Sequence, residues 1–336
     1  MVITARPHRE RPRAARGGPG PLRLAVFIAT AAACVPYLAL KAAWLSGSTV
    51  GYVDADAAGA SVRHAGNAIT MGMDAMVVAV AAAFTFRWGQ RIPAWPVLAP
   101  MWVATGLLAP ILLAVPLGSA LQAVFSSEPL TAPDDAMRGW VYGVVYTGFT
   151  LQGIGLATAF VLYARSRWAD VFKARTGDVA EGAPHRAQVL LAHAAAVPAV
   201  LYAAVQLFWA FGATAGLGAE RAGQRTAVQQ LADGAEGLLA LAGAAALLLI
   251  LRRGGRRPVL PLAVAWTGAA TTFAAPLYGL LAAAAQPALD GPESTTVLDL
   301  TAVCGVLAGL LMGATGVALL AGRGAQSARP TASSAP

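Results

Sequence analysis

The chain has 336 residues, of which 57% are hydrophobic and 12% are charged, and its mean hydropathy is +0.61. Because a soluble domain has about 45–50% apolar and about 25% charged residues, this composition argues against a water-soluble enzyme and a disordered chain. The formal net charge of +8 would suit a nucleic-acid partner, but the basic residues stand in short runs between long apolar stretches, so we expect no nucleic acid.

Eight apolar stretches are long enough to cross a bilayer. A helix needs about 20 apolar residues to cross a hydrocarbon core of about 30 Å, and alanine-rich runs lack the alternation of transmembrane barrel strands. The sequence therefore predicts an all-α integral membrane protein, with eight transmembrane helices at approximately 24–45, 67–86, 97–124, 140–164, 187–212, 231–251, 259–286 and 296–321. The prolines of the third and seventh stretches predict either a kinked helix or a broken pair in each: Pro110, Pro116, Pro261 and Pro276.

The charges of the connections predict an orientation. Of the 24 Lys and Arg residues, 19 lie in the two tails and in the connections that follow the second, fourth and sixth stretches. The positive-inside rule assigns such residues to the cytoplasm. We therefore expect a multi-pass protein of the cell membrane with cytoplasmic N- and C-termini, because an odd number of crossings would break the alternation.

The two halves of the chain resemble each other. The first stretch ends with Trp44, Gly47, Thr49 and Gly51, and the fifth ends with Trp209, Gly212, Thr214 and Gly216, 165 residues later. Arg63, Gly72 and Asp74 match Arg225, Gly234 and Glu236 at an offset of 162. An ordered series at a nearly fixed period indicates an internal repeat. Each half has an even number of spans, so the sequence predicts two parallel four-helix repeats about an axis along the membrane normal.

This duplication predicts five segments along the chain. They are a basic cytoplasmic tail at 1–23, a first four-helix repeat at 24–165, a cytoplasmic linker at 166–186, a second four-helix repeat at 187–323 and a cytoplasmic tail at 324–336. A site on or near the axis would receive equivalent residues from both repeats.

Four polar residues at matched positions form a candidate intramembrane binding cluster: Lys41, Asp74, Gln206 and Glu236. Asp74 lies about 20 Å from the predicted inner boundary, and Glu236 about 24 Å, at 1.5 Å per residue. Ionisable groups at such depth are costly unless paired or hydrated, which makes them functional candidates. We expect a Lys41–Asp74 ion pair and a Gln206–Glu236 hydrogen bond. The alternative is that Lys41 reaches the headgroups and the carboxylates mark where their helices meet water.

Two further sets of residues have structural interpretations. Trp44 and Trp209 are predicted interface anchors, because tryptophan favours the headgroup zone of a bilayer. Gly305, Gly309 and Gly313 form a GxxxGxxxG row in the eighth stretch, which predicts close packing against a neighbouring helix or a second copy of the chain.

The residues that usually carry catalysis or hold metals are sparse. Cys34 and Cys304 both lie in apolar stretches, so we expect neither a disulfide nor a zinc site. His64 and His193 are predicted near opposite faces of the membrane, which does not suit a pair of haem ligands. We therefore expect no cofactor, no metal and no enzymatic activity.

These features favour a small-molecule or ion permease in the lipid bilayer. The alternative is a non-catalytic scaffold or accessory subunit of a membrane complex, which would use its glycine faces to bind a membrane-protein partner or to form a homo-oligomer. A polar cavity between the halves that is open to solvent favours transport, whereas a dry core with an exposed glycine face favours assembly.

Overall fold

The computed structural model describes residues 18–53, 60–125, 137–169, 183–223, 225–252, 259–285 and 294–327. Within these ranges eight long helices follow one another: α1 Pro21–Leu45, α2 Ala60–Thr85, α3 Trp95–Phe125, α4 Gly139–Arg167, α5 Ala183–Ala210, α6 Ala227–Leu251, α7 Val259–Ala285 and α8 Thr296–Ser327. Each of the eight is long and apolar enough to cross a membrane. The chain is therefore an all-helical, multi-pass membrane protein in contact with the lipid bilayer.

The eight predicted stretches are confirmed as helices, with changes at their ends. The second helix begins at Ala60 rather than near residue 67. The third and seventh stretches are each one continuous helix that contains its prolines, so the broken-pair alternative is wrong. Most of the predicted tail at 1–23 and linker at 166–186, and the end of the tail at 324–336, lie outside the described residues.

Successive helices run in opposite directions, so the bundle has two ends. We call the end at which α1 begins the basic end, because Arg87, Arg91, Arg165 and Arg167 lie there, and we call the other the acidic end. At the basic end, Arg167 of α4 donates to the carbonyl of Ile92, just before α3, at 2.8 Å. At the acidic end, Thr295, just before α8, donates to the carbonyl of Gly216, just after α5, at 2.5 Å.

The same helix pairs pack together in the two halves of the chain. In the first half, α1 packs against α2 and α4, and α3 packs against α2 and α4. In the second half, α5 packs against α6 and α8, and α7 packs against α6 and α8. Each half buries its own hydrophobic cluster, with Phe84, Leu156 and Tyr163 in the first and Leu247 and Met312 in the second. The two halves meet where α3 packs against α6 and α7.

Two tryptophans cross the contact between the two halves in opposite directions. Trp102 of α3 stacks on Phe273 of α7, with ring centroids 4.9 Å apart. Trp266 of α7 stacks on Phe160 of α4, with centroids 5.4 Å apart. Each half thus inserts one tryptophan among the aromatic side chains of the other half.

The backbones of α3 and α7 come very close between these two stacks. A Cβ atom built on Gly106 would lie 2.1 Å from the carbonyl oxygen of Ala270, so only glycine fits there without displacing a helix. This contact fixes the separation of the two halves.

Candidate functional site

Two loops at the acidic end have the same backbone conformation. After α1, Gly47 and Gly51 adopt φ values of 93° and 83°; after α5, Gly212 and Gly216 adopt 93° and 85°. This left-handed region is readily accessible only to glycine. The glycines therefore let the chain turn sharply as it leaves each helix.

A buried tryptophan holds each of these loops. The indole of Trp44 donates to the carbonyl of Val50 at 2.8 Å, and that of Trp209 donates to the carbonyl of Ala215 at 3.0 Å. Trp44 is 2% exposed and Trp209 is 3% exposed. We expected rings that reach lipid headgroups, but both rings lie against protein, because their N–H groups bind the loops that fold back over them.

Beneath the first loop lies a buried set of polar side chains on α1 and α2. The ammonium of Lys41 donates to Oδ1 of Asn67 at 2.9 Å. The same ammonium lies 4.5 Å from the ring centroid of Tyr37 and 5.4 Å from that of Trp44. Within the described parts of α1 and α2, the expected Lys41–Asp74 ion pair is not formed. Lys41 instead donates its hydrogen bond to Asn67, which was not among the predicted site residues.

Asp74 remains deeply buried beside this ammonium. It is 3% exposed, and its Oδ2 atom has no hydrogen-bond partner. Gln152 of α4, 1% exposed, has an equally unpartnered Nε2 atom. We define the first-half cluster as Tyr37, Lys41, Asn67, Asp74 and Gln152; all five side chains are buried.

The corresponding side chains of the second half form a different network. Glu236 of α6 accepts two hydrogen bonds at one oxygen, Oε2, from the hydroxyl of Tyr202 at 2.5 Å and from the amide of Gln206 at 2.6 Å. The Gln206–Glu236 hydrogen bond expected from the sequence is therefore present. Tyr202 and Gln206 are buried, whereas Glu236 is half-buried.

An ion pair lies next to this carboxylate. The guanidinium of Arg225 binds the carboxylate of Asp233 and the carbonyl of Trp209. The side chain of Arg225 is 10% exposed, and its Nε atom is buried without a partner. We define the second-half cluster as Tyr202, Gln206, Arg225, Asp233 and Glu236.

An open cavity of approximately 450 Å³ gives water access to the second-half cluster. It extends from the loop residues Leu217 and Ser294 down to Tyr202 and Glu236, and Pro276 of α7 forms part of its wall. All residues that line it belong to the second half. The cavity therefore lies within one four-helix unit and not on the boundary between the halves. The expectation of a polar cavity between the halves, lined by equivalent residues of both repeats, is wrong for this cavity.

A tight helix crossing closes this unit on the basic side of the cavity. Gly243 of α6 lies two turns, about 10 Å, from Glu236 and touches Gly268 of α7. A Cβ atom on Gly268 would lie 2.5 Å from the Cα atom of Gly243. Ala203 and Ala240, both fully buried, pack in one hydrophobic cluster with Tyr202 of the cavity lining. The cavity is thus a polar pocket with a closed apolar base.

The glycine row of α8 packs inside the bundle. Each of its glycines lies against a side chain of another helix: Gly305 against Tyr202, Gly309 against Phe273 and Gly313 against Trp102. These approaches leave no room for a Cβ atom at Gly305 and Gly309, where it would come within 3.0 Å of its neighbours.

Several residues of the two clusters were missed in the sequence. Tyr37 and Tyr202 differ by the same offset of 165 residues as Lys41 and Gln206, so the repeat itself could have identified them. Gln152 and Asp233 have no polar counterpart at a fixed offset that would single them out. In the part of the chain that the structure describes, no group of three or more His, Cys, Asp or Glu side chains could hold a metal ion.

Comparison with known proteins gives no family for this chain. No protein-family model matches the sequence, and no curated protein or solved structure is significantly similar to it.

Proposed function

We propose that the chain is a permease that admits a small solute or ion through the cavity at its acidic end. The observation that supports this function best is the cavity itself, because it leads from the loops to a carboxylate within the helix bundle and ends at an apolar base. A volume of approximately 450 Å³ is typical of small-molecule sites. A solvent-accessible pocket that reaches into the helix bundle is what alternating access requires of one transport state.

The proposed permease consists of two parallel four-helix repeats. Three observations support this duplication: the matched glycine conformations after α1 and α5, the equivalent helix pairs within the halves, and the reciprocal tryptophan stacks.

The proposed orientation has the acidic end outside the cell membrane and both termini in the cytoplasm, following the positive-inside rule. Epitope tags at the two termini of intact cells should both be protected from an added protease. Cleavage of either tag before the cells are permeabilised would contradict this orientation.

A scaffold or accessory subunit is the alternative function. Its strongest sequence feature was the glycine row, which is expected to be exposed in a docking protein. Because Gly305, Gly309 and Gly313 contact other helices of the same chain, the permease is the better supported of the two.

Uptake into sealed proteoliposomes tests the transport function. The full chain is reconstituted and supplied with a panel of ions, amines, acids and neutral metabolites, and Glu236→Gln is compared with the wild type. We expect at least one solute to enter faster than into empty liposomes, and we expect the variant to lose about tenfold or more of that rate, since hydrogen bonds to a charged group contribute about 1.5–3 kcal/mol.

Glu220→Gln is the matched control for this experiment. It makes the same acid-to-amide change on an exposed residue of the same end that does not line the cavity, and it should transport like the wild type. Folded, correctly inserted wild-type protein that transports none of the panel would contradict the permease proposal.

A further inference from the structure

The two halves carry the same aromatic frame around one position that differs in charge. In α1 the frame is Tyr37 and Trp44 around Lys41, and in α5 it is Tyr202 and Trp209 around Gln206, with identical spacing. Both aromatic residues of each frame are buried. The same surroundings thus receive a cation in the first half and a neutral amide in the second.

The first half shows how this frame accommodates an ammonium ion. The Lys41 ammonium lies beside the rings of Tyr37 and Trp44 at 4.5 and 5.4 Å, within the range of a cation–π interaction. It also donates to the amide oxygen of Asn67 at 2.9 Å. This cation belongs to the chain itself, and the side chains of Tyr37, Lys41, Trp44 and Asn67 are all buried.

In the second half the carboxylate lacks such a cation. Glu236 accepts hydrogen bonds only from neutral groups among the described residues, namely Tyr202 and Gln206, and both bonds go to Oε2. The guanidinium of Arg225 forms its ion pair with Asp233 and not with Glu236. Removing a carboxylate from bulk water costs free energy unless a positive charge lies beside it. The cavity provides room for a cation to enter.

The lining of the cavity suits an organic cation better than an anion or a bare metal ion. Its acidic side chains outnumber its basic ones by three to two: Asp233, Glu236, Asp299, Arg221 and Arg225. Apolar side chains complete the wall: Leu217, Pro276, Leu280 and Leu298. A volume of approximately 450 Å³ far exceeds the space that a monatomic ion needs.

We propose that this cavity binds a small organic ammonium ion, with Glu236 as its counter-ion and the rings of Tyr202 and Trp209 beside it. Gln206 keeps the position that corresponds to Lys41, and the ligand supplies from the cavity the positive charge that the Lys41 ammonium supplies within the first half. The alkyl part of the ligand lies along the apolar wall, and its N–H groups face Glu236. The inference deepens the proposed function, since it gives the permease its substrate class.

Equilibrium binding to the purified full chain in nanodiscs tests this proposal without a membrane gradient. The probes are radiolabelled n-butylammonium and n-butyrate, which have nearly the same size and opposite charge. We expect n-butylammonium to bind at least about tenfold more tightly than n-butyrate, because only the cation interacts favourably with the carboxylate and the rings. Equal affinities, or tighter binding of n-butyrate, would overturn the proposal.

Gln206→Lys is the informative variant, because it supplies the second half with the ammonium that the first half already has. We expect it to weaken n-butylammonium binding by about tenfold or more, since the tethered cation competes for Glu236. Gln230→Lys is the matched control: it adds the same charge nearby on α6, at a residue that does not line the cavity, and it should bind like the wild type.

Glu236→Gln keeps the proposal testable should Gln206→Lys fail to fold, and it should lose n-butylammonium binding to the same extent. Wild-type affinity in a folded Gln206→Lys or Glu236→Gln protein would overturn the proposal. Specific n-butylammonium binding without uptake of any solute of the panel would leave this site assignment standing and contradict the permease. Uptake of another solute without n-butylammonium binding would support the permease and contradict this site assignment.

Discussion

The two polar clusters occupy matched levels of the bundle but differ in their access to water. In the first half, Lys41 and Asp74 are 5% and 3% exposed and lie within a closed set of side chains. In the second half, Glu236 is half-buried at the bottom of an open cavity. The difference indicates that a repeated polar frame can serve either as an internally neutralised core or as a binding pocket, depending on whether the chain contributes its own cation.

Removal of the built-in cation is the strongest test of this difference. Lys41→Gln should lower the free energy of unfolding by about 3 kcal/mol, because a buried carboxylate is left without its compensating charge. Unfolding in mixed micelles by titration with sodium dodecyl sulfate measures the change.

The combination with Asp74→Asn is the control for that variant. If the cluster balances its own charges, the double variant should be more stable than Lys41→Gln alone, with a coupling energy that a double-mutant cycle extracts. Strictly additive effects would mean that Lys41 and Asp74 do not act together.

The closed base of the second-half cavity depends on the crossing of α6 and α7. Gly268→Ala should destabilise the protein by about 2 kcal/mol, because the new Cβ atom would lie 2.4 Å from the carbonyl oxygen of Leu239. Thermal unfolding in detergent measures the loss. Gly279→Ala, in the same helix, has no atom within 4 Å of its Cβ position and should be as stable as the wild type; equal losses would contradict the crossing.

Chemical accessibility separates the two clusters directly. In a background without Cys34 and Cys304, a cysteine at Glu236 should react with a membrane-impermeant thiol reagent about tenfold or more faster than one at Asp74. Reaction requires exposure, and a buried site must first open. Mass spectrometry of timed samples measures both rates. Similar rates would show that the first-half cluster is as open as the second.

The smallest effect concerns the tryptophans that hold the loops. Trp44→Phe and Trp209→Phe should each cost about 1 kcal/mol, the usual contribution of one hydrogen bond, because each loses the bond to its loop carbonyl. Unfolding titrations compare the two. Trp209→Phe should additionally weaken ligand binding, since Trp209 lines the cavity; a binding defect in Trp44→Phe as well would remove the distinction between the halves.

Hydropathy and loop charge predicted the eight helices, since lipid requires long apolar segments whatever their tertiary contacts. The partner of Lys41 was not predictable in the same way. Asn67 and Asp74 are seven residues apart and therefore lie on one face of α2, so both face α1. Which of these two side chains the Lys41 ammonium reaches depends on the axial position of α2 relative to α1. The periodicity of the sequence does not determine that position.

The cavity itself also required the structure. Both halves have a tyrosine, a tryptophan and a carboxylate at matched positions, so their composition gives no reason to expect one closed and one open cluster. The burial of Trp44 and Trp209 was unforeseen for a similar reason, because a preference for the headgroup zone cannot reveal that a loop folds back over the ring.

The exchange of Trp102 and Trp266 has a consequence for biogenesis. Ribosomes deliver α1–α4 to the membrane first, so Phe160 then lacks the indole of Trp266, and Trp102 lacks the ring of Phe273 until α7 is inserted. Each half thus needs the other to complete its aromatic contacts. Two fragments that are separated within residues 170–182 and expressed from separate genes should therefore associate in the bilayer. Either fragment expressed alone should be degraded by membrane proteases.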